Sequence, residues 1–264
     1  MAMPVDIQNG QVAYEVPYGV LEVGKDELQE APFKGMYSIP STQIHPRFVQ
    51  NWISATNGDF GVILSSQATT WDYLDGQEKK DRFTLLQPIL LASRRSCHPQ
   101  GNSYSPAGDH EYHFGFSSFK GTWREHFQFG DEVNAPFPGV VVQPKTSIPP
   151  AMLAILPSIE VATQIRGPFL PSSLSLCEVS SPHYVVSDIK LADDKQGIIV
   201  RGYEIADQGT PVSLKFPLNI EKANATDLIE DDLPERVDSS GGSVQFVAGH
   251  RAINAMRISG GWAP

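Results

Sequence analysis

The sequence is poor in cysteine, in basic residues and in long apolar runs. Cys97 and Cys177 are the two cysteines among 264 residues, and they do not form a CxxC pair. This spacing argues against a disulfide framework and against a structural zinc cluster, and it favours a reducing compartment.

Basic side chains are outnumbered, with 20 Lys and Arg against 30 Asp and Glu and a net charge of −10. Nucleic-acid binders usually carry a basic patch, and the absence of one predicts no nucleic-acid partner. No apolar run approaches the ~20 residues of a membrane span. The first residues also lack the basic and then apolar pattern of a signal peptide. We therefore expect no membrane partner, and either a cytoplasmic protein or a chain cut from a longer one.

Glycine and proline are abundant, at 22 and 21 residues, and they interrupt many short alternating segments. Residues 48–55 and 60–66 flank Asn57-Gly58, which is a strong hairpin signal, and 185–192 and 197–206 flank a second turn. Helical periodicity is scarce. The pattern predicts an all-β fold, built as a sandwich or as several sheets.

Segments that are not plain strands are few. Residues 123–133 have room for a turn or two of helix, and 151–157 fit a short helix or a buried strand. Residues 227–238 are acidic and predict a solvated loop. The Pro-rich stretch 136–171 predicts a crossing between two units, so we place a large β domain at 1–178 and a small one at 179–264.

The segment PAGDHEYHFGF, residues 106–116, holds the densest group of titratable side chains. Asp109, Glu111 and His113 would share one face of a strand, but three such positions span ~13 Å at ~3.3 Å per residue. They therefore cannot surround one ion, and we predict no metal site in this chain. We expect Asp109 and His113 to be hydrogen-bonded structural residues, with Asp109 paired to Arg94 or Arg95.

The segment SRRSCH, residues 93–98, ends the most apolar part of the chain. Arginines at such a position bind carboxylates or sugar hydroxyls, or they form a salt bridge at the rim of a sheet. Cys97 and His98 would point to opposite faces of a strand, which argues against a thiol nucleophile.

Other candidates remain open. The four tryptophans fit a sugar-stacking platform or a core, and the acidic pairs Asp193-Asp194 and Asp231-Asp232 are expected to be solvated. No motif assembles an active site, so we nominate no catalytic residue.

Taken in order, six segments resemble the C-terminal β region of the family 38 glycoside hydrolases, the retaining α-mannosidases. They are YEVPYGVLEV (14–23), FVQNWISATNGDFGVILSS (48–66), PILLASRRS (88–96), GDHEYHFGFS (108–117), VVSDIKLADDKQGIIVRGYEIADQGTPVSLKF (185–216) and VQFVAGHRAINAMRI (244–258). Three features depart from the family pattern: Glu111 replaces a common glycine, His250-Arg251 replaces an acidic residue, and the Pro-rich stretch is longer.

The resemblance implies a super-sandwich of the galactose-mutarotase type, followed by a small β-sandwich domain. It also implies that the nucleophile, the acid–base residue and the zinc ligands lie in an N-terminal catalytic domain with no counterpart here. Retaining hydrolysis needs two carboxyl groups ~5–5.5 Å apart, and this chain offers no such pair. We therefore expect no cofactor in this chain, zinc in the missing catalytic domain, and no activity of the chain alone.

Three interpretations follow. The first is the non-catalytic β region of an α-mannosidase-like hydrolase, which supports the catalytic domain and edges a cleft for mannosides through Arg94, Arg95 and His98. The second is a stand-alone carbohydrate-binding or mutarotase-like module. The third is a structural β domain without a ligand.

Overall fold

The computed structural model describes residues 2–8, 10–27, 47–67, 70–74, 84–91, 94–95, 103–104, 107–135 and 175–262. For residues 70–74, 94–95, 103–104, 236 and 262 it describes the backbone alone. The Pro-rich stretch 136–171, the segment 151–157 and His98 lie outside these ranges. We call residues 2–135 the N-terminal β unit and residues 175–262 the C-terminal β unit; the predicted boundary at 178/179 stays a prediction.

The N-terminal β unit contains eleven strands among its described residues. They are β1 (Met3–Val5), β2 (Gln11–Val16), β3 (Gly19–Glu22), β4 (Arg47–Phe48), β5 (Trp52–Thr56), β6 (Gly58–Ser66), β7 (Thr70–Leu74), β8 (Thr84–Pro88), β9 (Arg94–Arg95), β10 (Ser103–Tyr104) and β11 (Phe114–Gly121).

These strands form two main antiparallel sheets, ordered β1-β8-β7-β4 and β11-β6-β5-β2-β3, and the short pair β10-β9. The hairpin predicted at Asn57-Gly58 is confirmed, because Thr56 pairs with Gly61 and Trp52 with Ser65. The strand predicted to carry Asp109, Glu111 and His113 begins later than expected. Residues 111–113 precede β11, which begins at Phe114 and pairs with Ser66.

Both faces of the five-stranded sheet are covered. Alternate side chains of its strands, among them Tyr14, Ile53 and Leu64, pack against Val5 and Leu86 of the other sheet. The opposite face carries the helical segment, which is a 3-10 turn at Trp123–Glu125 and the helix α1 (Gln128–Asn134), as predicted for 123–133.

Helix α1 approaches the sheet closely through Gly130. A Cβ added at Gly130 would collide with the ring of Trp52, so only glycine permits this distance. The 3-10 turn starts with a reciprocal cap, in which the Thr122 hydroxyl accepts from Arg124 N–H and the Glu125 carboxylate accepts from Thr122 N–H. The cap and the glycine together fix the helical segment against Trp52.

The C-terminal β unit contains nine strands within residues 175–262. They are β12 (Glu178–Val179), β13 (Tyr184–Leu191), β14 (Ile198–Glu204), β15 (Thr210–Lys215), β16 (Leu218–Thr226), β17 (Asp232–Arg236), β18 (Asp238–Ser240), β19 (Ser243–Ala248) and β20 (Ile253–Trp262).

They form two antiparallel sheets, ordered β12-β15-β19-β18 and β13-β14-β20-β16-β17. A buried cluster that includes Leu214 and Val244 of one sheet and Val200, Met256 and Ile258 of the other fills the space between them. The hairpin predicted from 185–206 is confirmed as β13 and β14.

The loop predicted for 227–238 is wrong in part. Residues Asp232–Arg236 form an edge strand beside β16, and β18 begins at Asp238. Cross-strand pairing decides the structure here rather than local composition. The expected all-β sandwich fold is confirmed. No helix among the described residues is long and apolar enough to cross a membrane.

Candidate functional site

The predicted substrate-binding residues are only partly described. Arg94 and Arg95 lie on β9, where they pair with Tyr104 and Ser103 of β10. Their side chains, and the whole of His98, lie outside the description, so their predicted role stays a prediction.

The predicted polar cluster lies in an exposed segment before β11. Asp109 and His113 are both exposed, and Nε2 of His113 lies 3.5 Å from Oε1 of Glu111. The pairing of Asp109 with Arg94 or Arg95 stays a prediction, because neither arginine side chain is described.

Two of the four tryptophans belong to the core. Trp52 and Trp123 are buried, with ring centroids 5.8 Å apart. They therefore do not offer a face to a sugar. The side chains of Trp71 and Trp262 lie outside the description.

The apolar contact between the two units is built around Ile205. This residue follows β14 and is buried in one cluster with Trp52, Trp123 and Phe127 of the N-terminal unit. Val185 of β13 and Tyr203 of β14 pack against the same cluster. The second face of the five-stranded sheet therefore carries part of the C-terminal unit as well as the helical segment.

Charged groups flank this apolar contact. The buried Glu22 carboxylate accepts from Trp123 Nε1 at 3.1 Å and pairs with Arg124 at 3.1 Å and with Lys25 at 2.9 Å. Burial opposes ionisation, but these hydrogen bonds and charges outweigh it and hold the pKa of Glu22 below its usual value. Glu22 is therefore ionised, and its hydrogen-bond and ion-pair partners lie next to the contact between the two units.

A salt bridge joins the two units directly. Arg251 Nη2 lies 2.8 Å from Oδ1 of Asp26, and its Nε lies 3.4 Å from Oδ1 of Asp207. The buried Glu204 carboxylate accepts from the backbone N–H groups of Arg251 and Asp207, both at 3.0 Å. Glu204 therefore shapes both loops that present this bridge, and both Asp207 and Arg251 have positive φ.

Glu15 on β2 is a buried carboxyl group whose surroundings differ from those of Glu22 and Glu204. Glu15 is buried, and its Oε2 atom makes no hydrogen bond among the described residues. Burial, and after it the charge of Asp131 on α1, raise the pKa of Glu15 to about 7 against the opposing effect of hydrogen bonds from Asn51. The surroundings of Glu15 therefore favour its protonated form.

An open cleft of about 490 Å³ lies beside this group, between the two units. Its lining comes from the β2–β3 turn, from β4 and the residues after it, and from β13 and β14. The lining residues are Pro17, Tyr18, Phe48, Gln50, Ser187 and Tyr203. The cleft was not predicted from the sequence, because its lining residues are far apart in the chain. The one lining segment that is local in sequence is the Pro17-Tyr18 turn.

Fold and junction together define a two-unit β-sandwich region whose units share a buried contact and an open cleft. In sequence, residues 183–258 match the family model described as the glycosyl hydrolases family 38 C-terminal beta sandwich domain. The resemblance to the C-terminal β region of family 38 is confirmed. The chain matches no curated protein.

Two solved structures are similar to the chain in fold. One is an alpha-mannosidase from Enterococcus faecalis V583, with a TM-score of 0.62, 12% identity and 98% of this chain covered. The other is a protein in glycosyl hydrolase family 38 from Enterococcus faecalis, with a TM-score of 0.63, 11% identity and the same coverage. This chain spans about a quarter of their length, 25% and 26%.

Proposed function

We propose that this chain is the non-catalytic C-terminal β region of an α-mannosidase-like retaining glycoside hydrolase. The similarity in fold over 98% of the chain to one quarter of an alpha-mannosidase carries this proposal. The remaining three quarters of such a protein would supply the catalytic domain, and this chain would support it.

An exposed apolar groove on the C-terminal unit supports a docking role. The groove has a volume of about 350 Å³. Leu176, Ile189, Leu191, Pro217 and Leu218 belong to its lining, and the first three are exposed. Contiguous apolar surface of this kind marks an interaction site. We assign the catalytic domain of the longer protein as its occupant, because the similar structures are about four times as long as this chain.

In this proposal the chain itself does not hold a catalytic metal ion. The described residues contain no group of three or more His, Cys, Asp or Glu side chains that could hold a metal ion. Zinc belongs, by the family resemblance, to the catalytic domain. In the proposal this chain contributes Arg94, Arg95 and His98 to the edge of the cleft for mannosides.

Activity measurements test this proposal. The isolated chain should not hydrolyse nitrophenyl α-mannoside, whereas the product of the whole open reading frame should do so and should contain an upstream catalytic domain. Turnover by purified chain alone, free of host mannosidase, would overturn the proposal. A reading frame with no such domain would also overturn it.

The cleft between the units favours a second candidate function, a carbohydrate-binding module. Two exposed aromatic side chains, Tyr18 and Phe48, share this cleft with the polar side chains of Gln50 and Ser187. A module of this kind needs sugar affinity and no catalytic partner. Sugar affinity of the isolated chain is therefore the measurement that separates the two candidates.

A further inference from the structure

We infer that the cleft between the two units is a binding site for a neutral sugar, held by residues of both units. This inference rests on the second of the proposed functions and needs no catalytic domain. The cleft volume of about 490 Å³ lies within the ~300–1,000 Å³ of small-molecule sites.

The aromatic side chains give the cleft its apolar contacts. Tyr18 is 54% exposed and Phe48 is 58% exposed, so both rings have surface left to cover. A pyranose ring has an apolar C–H face that loses contact with water when it stacks on an aromatic ring. The ring of Tyr18 meets that of Tyr203 edge to face, with centroids 5.6 Å apart, and this contact restricts its orientation.

Irregular backbone on both units presents side chains to the cleft. Tyr18 has φ 61° in the two-residue turn that follows Val16, a conformation that is rare for a bulky residue. Ser187 is the extra residue of a β-bulge, because Val186 pairs with Gly202 and Asp188 already pairs with Arg201. Bulges re-aim side chains and are frequent beside functional sites.

The polar groups of the lining suit hydroxyl groups. The Gln50 amide and the Ser187 and Tyr203 hydroxyls supply both donors and acceptors, and no hydrogen bond joins these side chains to other described residues. A sugar hydroxyl both donates and accepts, so it can use each of them.

Charge selects against an anion. None of the six lining side chains carries a formal charge at neutral pH. Burial, and after it the acidic groups Glu15 and Asp131, raise the pKa of Tyr203, so the ionisable groups close to this side of the cleft are acidic. A phosphate or uronate would find no cationic partner among these lining side chains, whereas a neutral sugar needs none.

Calorimetric titration of the whole chain tests the site. The probes are mannose, glucose, galactose and methyl α-mannoside, with glucuronate as the anionic comparison. We expect millimolar or tighter binding of at least one neutral sugar and weaker binding of glucuronate. The bound sugar should also raise Tm, because it contacts the folded junction and not the unfolded chain.

Variants locate the bound sugar. Tyr18→Ala and Phe48→Ala should each weaken binding about tenfold, because each removes a stacking surface. Phe116→Ala is the matched control, since Phe116 is 53% exposed on β11 and does not line the cleft. Ser187→Ala should weaken binding by a smaller factor.

Three results would overturn the inference. They are no binding of any neutral sugar at millimolar concentration, equal losses in Phe116→Ala and Phe48→Ala, and glucuronate binding as tight as that of the neutral sugars. None of these results depends on hydrolytic activity. The inference and the proposed role beside a catalytic domain can therefore fail separately.

Discussion

Two buried glutamates in different parts of the molecule have pKa values that are shifted in opposite directions. Glu230 in the C-terminal unit is 7% exposed, and Glu15 at the junction of the units is 8% exposed. Hydrogen bonds from Lys190 and from Asp193 N–H lower the pKa of Glu230 to about 2, whereas the pKa of Glu15 is raised to about 7. Burial alone therefore does not set the ionisation state of these groups.

The difference lies in the neighbouring charges. Glu230 pairs with Lys190 and, at 3.1 Å, with Arg201. Among the described residues no cation pairs with Glu15, and its charged neighbour is the carboxylate of Asp131. The C-terminal unit stabilises Glu230 in the ionised form, and the surroundings of Glu15 favour its protonated form.

The two groups therefore give opposite pH dependence of stability. Glu230 contributes stability above the usual pKa of glutamate, and that contribution is lost as pH falls towards about 2. Below the usual pKa of glutamate, Glu15 does not lower the free energy of unfolding. It lowers that free energy increasingly as pH rises through about 7.

The largest expected effect comes from removing the cation of a buried pair. Arg47 Nε lies 2.6 Å from Oε1 of Glu27, and both side chains are almost fully buried. Arg47→Met should lower the free energy of unfolding by about 3–5 kcal/mol, because Glu27 then loses a buried partner. Urea unfolding at neutral pH measures this change, and a loss below ~1 kcal/mol would contradict it.

Removing the charge of Glu15 should raise the free energy of unfolding, whereas Arg47→Met lowers it. Glu15→Gln should raise the free energy of unfolding by about 1–3 kcal/mol at about pH 9, where the wild-type carboxylate is buried and charged. The gain should vanish near about pH 4, because Glu15 is then largely protonated in both the folded and the unfolded protein. Urea unfolding at both pH values measures this, with the exposed Glu111→Gln as the control. A gain that does not depend on pH would contradict the assigned pKa.

Removing the paired acid should destabilise the protein moderately. Glu230→Gln keeps the shape of the side chain but weakens its hydrogen bonds to Lys190, Arg201 and Asp193 N–H. We expect Tm at neutral pH to fall by roughly 2–4 °C, and the difference from wild type to shrink as pH falls below about 4. Thermal unfolding followed by circular dichroism measures both effects. A constant difference across this range would assign the loss to packing instead of charge.

Local features of the sequence predicted the strands better than the site. The hairpin at Asn57-Gly58 was predictable because the turn chemistry and the alternation lie within one segment. Most of residues 227–238 are exposed, as their acidic composition predicts, but Asp232–Arg236 form a strand and not a loop. Asp193 and Asp194 are exposed, as predicted, and they also pair with Lys190 and with Arg257.

The junction lies beyond such local rules. Glu15 and Tyr203 are 188 positions apart (203 − 15), and the cleft exists only because β2 and β14 come together in the fold. An alternating strand pattern also cannot distinguish a buried acid on one sheet face from an exposed one, because both faces of this sheet are covered. The position of Glu15 in a strand was predictable, whereas its lack of a cationic partner was not.

The smallest expected change in the free energy of unfolding comes from an ion pair on the surface. This pair shows how much pairing contributes when burial is absent. Lys215 Nζ lies 3.2 Å from Oε2 of Glu178, and the two side chains are 64% and 61% exposed. Lys215→Met should change the free energy of unfolding by less than ~0.5 kcal/mol, because water and salt screen the pair. The same urea titration as for Arg47→Met measures it, so the two variants differ mainly in burial. A loss of similar size in both would show that pairing stabilises this protein regardless of burial.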